Sequence, residues 1–212
     1  MKKFSALFLM LLISSFACCG YNSFITSKNQ DTAIVGDTGT PSNSGTPSGP
    51  GNPGANSQTS KMTVTFYGFT DNDDGNGKFT TSVIAYPKKD GFPTHHNGTT
   101  EGAGTYNDPI TFATGKKAID DGTFPVGSII YVPFLQKYFM LEDECASCKT
   151  DHVDLFLGRT HDPNEKRGGP TEQCENKLTP DGKVDIILKP SSSLPVDTTA
   201  LFENGQCTGR IH

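Results

Sequence analysis

The chain has 212 residues, of which 33% are hydrophobic and 19% are charged, and it contains 23 glycines and 14 prolines. This composition indicates many turns and loops, with the shortage of apolar residues concentrated near the N-terminus. The formal net charge is −5, and an acidic chain with no basic patch excludes nucleic acid as a partner, because phosphate backbones need lysine and arginine.

Residues 1–20 have the pattern of a secretory signal peptide. Two lysines precede the apolar run Phe4–Phe16, and Ser15–Ala17 supplies small residues at the cleavage position. The run is too short to serve as a permanent membrane span. We therefore expect a secreted protein, extracellular or periplasmic. A lipid anchor at Cys18 is the alternative, although Ser15 stands where bacterial lipoproteins normally carry an aliphatic residue.

A disordered linker is predicted over residues 21–60. From Thr38 to Ser60 the chain consists almost wholly of Thr, Pro, Ser, Gly, Asn, Ala and Gln, which cannot bury enough apolar surface to fold. The folded domain is expected to span 61–212, with its core in 62–190. Residues 189–212 contain Pro190, Pro195 and a run of serines, so we expect them to wrap the domain as coil.

The domain is predicted to be all-β with a minor α component. Six segments are rich in β-branched or aromatic residues and are bounded by turn formers, as expected of strands. They are Met62–Tyr67, Ser82–Tyr86, Ser128–Val132, Tyr138–Glu142, Val153–Leu157 and Lys183–Leu188. One short helix is predicted around Phe112–Asp120. Many short strands with little helix indicate a closed or nearly closed barrel.

Four cysteines fall in the predicted domain, at Cys145, Cys148, Cys174 and Cys207. An even number in an exported domain indicates two disulfides. Of the three pairings, Cys145–Cys148 with Cys174–Cys207 is preferred, because the second bridge would pin the C-terminal coil. A zinc site is disfavoured because Cys174 and Cys207 form no second close pair, and a redox pair because no βαβ pattern surrounds it. We expect no metal and no cofactor.

The acidic run at residues 71–77 suggests a calcium loop at first sight. It fails the EF-hand pattern, because Gly75 and Asn76 stand where a ligand and the turn glycine are needed, and Ser82 replaces the closing glutamate. Two interpretations stay open for this run, a solvated turn and one wall of a substrate groove.

Several short motifs in the domain resemble those of one family. Phe124–Val132 contains Pro-Val-Gly-Ser, Leu141–Asp143 carries two acids, and His152–Gly158 begins His-Val-Asp-Leu. Preceded by Thr-Phe-Tyr-Gly at 65–68, these motifs resemble, in order, those of the double-psi β-barrel proteins that act on cell walls. That family includes expansins, rare-lipoprotein-A-like proteins and the membrane-bound lytic transglycosylase A. The resemblance covers roughly residues 62–160 and implies a six-stranded double-psi β-barrel.

The resemblance also implies a polysaccharide-binding site. Asp154 matches the catalytic acid of the transglycosylase and the essential aspartate of expansins, and Asp143 precedes it by 11 residues, as an aspartate does in the transglycosylase. The groove positions are matched by Thr65, Tyr67 and one of Asp71, Asp73 or Asp74, and His152 shares a strand face with Asp154. The chain departs from the family in having no tryptophan, and in carrying the Cys145–Cys148 insertion where the transglycosylase has a glycine-rich segment.

One catalytic acid is compatible with three activities toward a cell-wall glycan. A hydrolase needs a second carboxylate, for which the 71–74 loop is the candidate; a lytic transglycosylase uses a substrate hydroxyl; an expansin-like protein loosens glycan without net cleavage. A different class is a non-catalytic secreted protein that binds or inhibits another protein through the barrel scaffold. In either class we expect a monomer, and His95, His96 and His161 receive no role.

Overall fold

The computed structural model describes residues 54, 56–68, 83–99, 102–158, 165 and 168–212. The predicted signal peptide, most of the predicted linker, the acidic run at 71–77 and His161 lie outside these residues. The strands are β1 Gln58–Tyr67, β2 Ile110–Thr114, β3 Ile129–Val132, β4 Lys137–Glu144, β5 His152–Phe156, β6 Val184–Leu188, β7 Phe202–Glu203 and β8 Gln206–Cys207. The helices are α1 Lys116–Asp120 and α2 Pro170–Leu178, with 3-10 turns at Lys88–Asp90 and Pro133–Leu135.

Six of these strands form a closed barrel in the order β1-β5-β2-β4-β3-β6. β1 closes it, because its first half pairs antiparallel with β6 and its second half pairs parallel with β5. β2 and β4 form the other parallel pair, and the remaining contacts are antiparallel. The predicted all-β class and the six-stranded barrel are therefore confirmed.

The barrel core follows the alternation that the sequence predicts. In β1 the side chains of Met62, Val64 and Phe66 are buried, and in β5 those of Val153 and Leu155 are buried. The residues between them, which include Thr65 and Asp154, are partly exposed and lie on the opposite face of their strands. Thr65, His152 and Asp154 therefore lie outside the packed interior, whereas Tyr67 at the end of β1 is buried.

The turn before β3 needs a glycine. Gly127 has a φ of 80°, and a Cβ atom there would stand 2.0 Å from the carbonyl oxygen of Pro93. Its amide donates to Leu141 O at 2.9 Å, and Ser128 N donates to Pro125 O at 2.9 Å. The Pro-Val-Gly-Ser motif thus turns the chain tightly against the neighbouring loop and aligns β3 with β4.

The observed strands differ from the predicted ones in two places. β1 begins at Gln58 rather than near Met62, because Gln58–Ser60 pair with residues 186–188 of β6; the backbone supplies these hydrogen bonds, so polar side chains are tolerated. The segment at 83–86 is not a strand. Its amides donate to β4 from a loop instead, with Tyr86 N 3.0 Å from Glu142 O.

The helix prediction was wrong in part. Phe112–Thr114 belong to β2, and the helix α1 begins only at Lys116. All five side chains of β2 are buried, so this strand has no alternation by which to recognise it. Helix α2 was not predicted, although Pro170 stands at its first turn, where proline is favoured.

Both predicted disulfides are confirmed, Cys145–Cys148 and Cys174–Cys207. The second joins α2 to β8, and so fixes the C-terminal segment to the helix that packs on the end of β1. Residues 189–212 are mostly coil, as predicted, apart from the β7–β8 hairpin. Within the described part of the chain, no helix has the length and hydropathy needed to cross a membrane.

Candidate functional site

A cavity of about 410 Å³ opens on the barrel surface where β1, β5, β2 and β4 lie side by side. Its lining is about equally polar and apolar, and the polar groups include carboxylates and hydroxyls. The lining residues are Thr65, Phe66, Tyr67, Ala113, Asp143, Glu144, Cys145, Ala146, Ser147 and Asp154. None of these residues is basic. The cavity therefore suits a neutral, hydroxyl-rich ligand better than an anion.

The register of the strands brings the predicted site residues into one row. Thr65 pairs with Asp154, Asp154 pairs with Ala113, and Ala113 pairs with Asp143, after a register shift at which Glu142 is the extra residue of β4. Asp154 and Asp143 are thus two strands apart, which corresponds to roughly 10 Å between their backbones. Ala113 lies between the two carboxylates, and its small side chain leaves room between them.

Asp154 is held by a short chain of hydrogen bonds. Thr65 Oγ1 donates to Asp154 Oδ1 at 2.6 Å and lies 2.8 Å from His152 Nε2. Because the hydroxyl has one proton to donate, it must accept from Nε2, which therefore carries a hydrogen. Burial lowers the pKa of His152, so the neutral imidazole is favoured. The Thr65 hydroxyl thus lies between His152 and Asp154 and links the two side chains.

Asp143 differs from Asp154 in its surroundings. It is 8% exposed, and burial raises its pKa to about 6, against hydrogen bonds that lower it. Its Oδ1 accepts from the amides of Ala85 at 3.0 Å and Glu144 at 2.9 Å, and Tyr67 donates to Oδ2 at 3.3 Å. The carboxyl group of Asp143 is thus partly protonated in mildly acidic solution.

Tyr67 connects β1 to the carboxylate of Asp143 beneath the cavity. It is buried, and burial together with the charges of Asp143 and Asp154 raises the pKa of its hydroxyl well above the usual value. The hydroxyl therefore stays protonated and remains a donor. Its ring packs edge-on against Phe156, with centroids 5.4 Å apart, which fixes its direction.

The disulfide Cys145–Cys148 forms one wall of the cavity. The two sulfur atoms and a carboxylate oxygen of Asp154 lie within 4.8 Å of one another, a spacing at which free thiolates could bind a metal. Both sulfurs are committed to the disulfide, and it is the thiolate that ligates metals. This wall therefore serves to shape the cavity beside Asp154.

A second buried carboxylate, Glu142, holds the loop that borders the cavity. Glu142 is fully buried in β4. Its oxygens accept from the amides of His95 and His96 at 3.0 Å, from the His96 ring at 2.8 Å and from Thr111 Oγ1 at 2.8 Å. Burial opposes the charge, but the bonds from His96 and Thr111 outweigh it and lower the pKa of Glu142. Glu142 and His96 are thus a structural pair, which the sequence analysis missed.

The predicted site residues and the residues that line the cavity do not coincide completely. Asp71, Asp73 and Asp74 lie outside the described residues, so their part in the groove stays a prediction. Ala113 and Glu144 line the cavity but were not predicted. The position of the small Ala113 side chain between Asp143 and Asp154 becomes evident only when the strand register is known. A larger cavity of about 720 Å³ lies elsewhere, beside Tyr106, Phe124 and Ser128, and contains none of the predicted site residues.

Fold and site together define a six-stranded closed-barrel protein with a carboxylate-bearing cavity on its outer wall. The model of the family described as the DDB_G0273701 N-terminal domain matches residues 59–208. The chain belongs to this family, and the match covers the whole barrel together with α2 and the β7–β8 hairpin.

One curated relative is the uncharacterized protein DDB_G0273701/DDB_G0273221 of Dictyostelium discoideum. It is 32% identical to the chain over 153 residues, which are 68% of this chain and 58% of that protein. The chain thus spans less than two thirds of the length of this relative. No solved structure matches the chain.

Proposed function

We propose that this protein binds polysaccharide in the cavity at Asp154 and acts there on a glycosidic bond, with Asp154 as general acid. The observation that carries the proposal is the row Thr65–Asp154–Ala113–Asp143, in which two carboxylates border one open cavity. The hydroxyls of Thr65 and Ser147 and the carboxylate of Glu144 complete a lining suited to the hydroxyls of a sugar.

The proposed chemistry needs one carboxyl group that holds a proton at the working pH. A sugar bound in the cavity would exclude water from Asp154, and loss of water favours the protonated form of a carboxyl group. Asp154 would donate this proton to the glycosidic oxygen as the C–O bond breaks. A hydroxyl of the glycan, or water, would then attack the anomeric carbon and return a proton to Asp154.

Two further features support the proposal. The motifs at 65–68, 125–128 and 152–155 resemble those of double-psi β-barrel proteins that act on cell walls, and the barrel has two parallel strand pairs, β1–β5 and β2–β4. A secreted setting is part of the proposal, because two disulfides are typical of oxidising compartments and the N-terminus has the pattern of an export signal.

The Asp154→Asn variant tests the proposal. The asparagine side chain preserves the shape of aspartate, but it cannot donate the catalytic proton and has no negative charge to strengthen hydrogen bonds from sugar hydroxyls. Hydrogen bonds to charged groups contribute about 1.5–3 kcal/mol. We therefore expect retention on cellulose, chitin or peptidoglycan to weaken about tenfold or more, with loss of any soluble product. The exposed Asp181→Asn variant is the matched control and should behave like wild type.

The outcomes separate the two classes of function. If wild-type protein neither binds nor cleaves any of these glycans, the proposal is wrong. If Asp154→Asn folds and retains every activity of the wild type, the barrel acts instead as a scaffold for a protein partner, and the proposed role of the carboxylate is lost.

A further inference from the structure

Two aromatic rings lie at the rim of the cavity, on the loop of residues 83–99. The rings of Tyr86 and Phe92 meet edge to face, with centroids 5.1 Å apart and planes at 79°. Phe92 is 37% exposed, and Tyr86 is half-buried. The Tyr86 hydroxyl donates to Glu144 Oε2 at 3.0 Å. Because Glu144 lines the cavity, the aromatic pair continues the cavity wall.

The loop that carries the pair is tied to β4 on both sides of it. Before Phe92, the amides of Ala85 and Tyr86 donate to Asp143 Oδ1 and Glu142 O, both at 3.0 Å. After Phe92, Thr94 Oγ1 donates to Tyr86 O at 2.9 Å, and the His95 and His96 amides donate to Glu142. An aromatic pair fixed in this way loses little further freedom on binding a ligand.

We propose that the exposed ring of Phe92, held edge to face by Tyr86, forms a platform on which a sugar ring packs, so that the glycan extends from the Asp154 cavity past Glu144. The inference rests on the proposed function and names a further subsite for it. A pyranose has an apolar C–H face, which suits an aromatic ring, and equatorial hydroxyls at its edge, which suit the Glu144 carboxylate. Burial and the bond to Glu144 raise the pKa of Tyr86 to about 12, so its hydroxyl stays a donor.

The size of the platform favours a sugar over a protein partner. Two rings beside a carboxylate cover about the area of one or two sugar units, whereas a stable protein interface buries at least about 1,000 Å². The chain contains no tryptophan that could stack on a sugar, and the platform would take this role.

Substitutions at Phe92 test the platform. Phe92→Ala and Phe92→Leu should each weaken binding to long glycan about 3- to 10-fold, because aromatic contacts contribute about 0.5–1.5 kcal/mol beyond their area. Phe92→Tyr keeps the ring and should bind within about twofold of wild type. Val196→Ala is the control, since Val196 is 36% exposed and lies in the C-terminal coil. Affinity is measured by depletion from suspended polysaccharide, and folding by thermal unfolding.

Each outcome bears on one claim. If wild type binds, Asp154→Asn weakens binding and Phe92→Ala does not, the platform is refuted while the proposed function stands. If Phe92→Leu binds like wild type while Phe92→Ala does not, the contact is generally apolar and the stacking assignment is wrong. If wild type binds no glycan at all, the proposed function itself fails.

Discussion

Glu142→Ala is expected to lower the free energy of unfolding by about 3–5 kcal/mol, because it removes a buried carboxylate and the hydrogen bonds that it accepts from His95, His96 and Thr111. The substitution leaves the hydroxyl of Thr111, which is fully buried, and the amides of His95 and His96 without their acceptor. Unsatisfied buried donors of this kind cost about 1–3 kcal/mol each. The loop of residues 83–99 is expected to detach from β4 as a consequence.

Urea unfolding of the oxidised protein measures this effect. Glu203→Ala is the matched control, because Glu203 is exposed in β7 and such surface substitutions change stability by at most about 0.5 kcal/mol. A loss of less than about 1 kcal/mol in Glu142→Ala would contradict the assigned role of Glu142. Amide hydrogen exchange in the 83–99 loop provides a second readout, with faster exchange expected in the variant.

Asp143→Asn is expected to remove a pH dependence of stability. In the folded protein the pKa of Asp143 is raised to about 6 by burial, whereas an unfolded aspartate has a pKa of about 3.9. Between these values the folded state binds more protons than the unfolded state. The wild type therefore loses stability as the pH rises from about 4 to about 6, by about 3 kcal/mol in total.

Asparagine fits the site without titrating. Its Oδ1 can accept from the amides of Ala85 and Glu144, both of which donate to Oδ1 in the wild type. Its Nδ2 can donate to the Tyr67 hydroxyl, which then acts as acceptor. Relative to wild type, the variant should therefore gain about 2 kcal/mol between pH 4 and pH 7, because at pH 4 the unfolded aspartate is itself already about half protonated.

Urea unfolding of both proteins at pH 4 and pH 7 measures the difference. Glu142 contributes its own pH dependence in the opposite direction, because its pKa is lowered and its stabilisation is lost as the pH falls. That contribution is common to both proteins and cancels in the comparison. Asp181→Asn, which keeps Asp143, should follow the pH dependence of the wild type. If the difference between Asp143→Asn and wild type is the same at both pH values, Asp143 is not a buried titrating group.

Strands with one buried face could be predicted from the sequence. Met62–Tyr67 and Val153–Leu157 alternate because one face packs in the barrel while the other borders the cavity. The same alternation placed His152 and Asp154 on one face of their strand, whereas Thr65 was identified through the family resemblance. The parallel pairing of β1 with β5, which joins these residues, was not predicted, because the alternation within a strand does not identify its neighbour.

Elements without an alternating pattern could not be predicted. β2 is buried on both faces, so a short apolar run there is compatible with helix and with strand. Helix α2 buries Thr171, Cys174, Glu175 and Leu178, which have helical spacing, but two of the four are polar and the apolar period is hidden. Gln58–Ser60 join the barrel through backbone pairing with β6. Because this pairing uses only backbone groups, the side-chain types of these residues do not indicate it.

The acidic residues of the site could be predicted from the sequence, but the environment of each carboxyl group could not. Asp143 and Asp154 were identified by their spacing, but their different exposure depends on the loop of residues 83–99, which buries Asp143 and leaves Asp154 open. The His96–Glu142 pair joins residues 46 positions apart, and nothing in either local segment indicates the other.

Mapping the glycan on the protein by amide NMR tests the central claim most directly. Full-length protein labelled with ¹⁵N is titrated with soluble oligosaccharides of cellulose, chitin and peptidoglycan. We predict that the largest shift changes occur around Thr65, Ala113, Ser147 and Asp154, which line the cavity. Changes confined to the separate cavity beside Tyr106 and Ser128, or no changes with any of the oligosaccharides, would contradict the account.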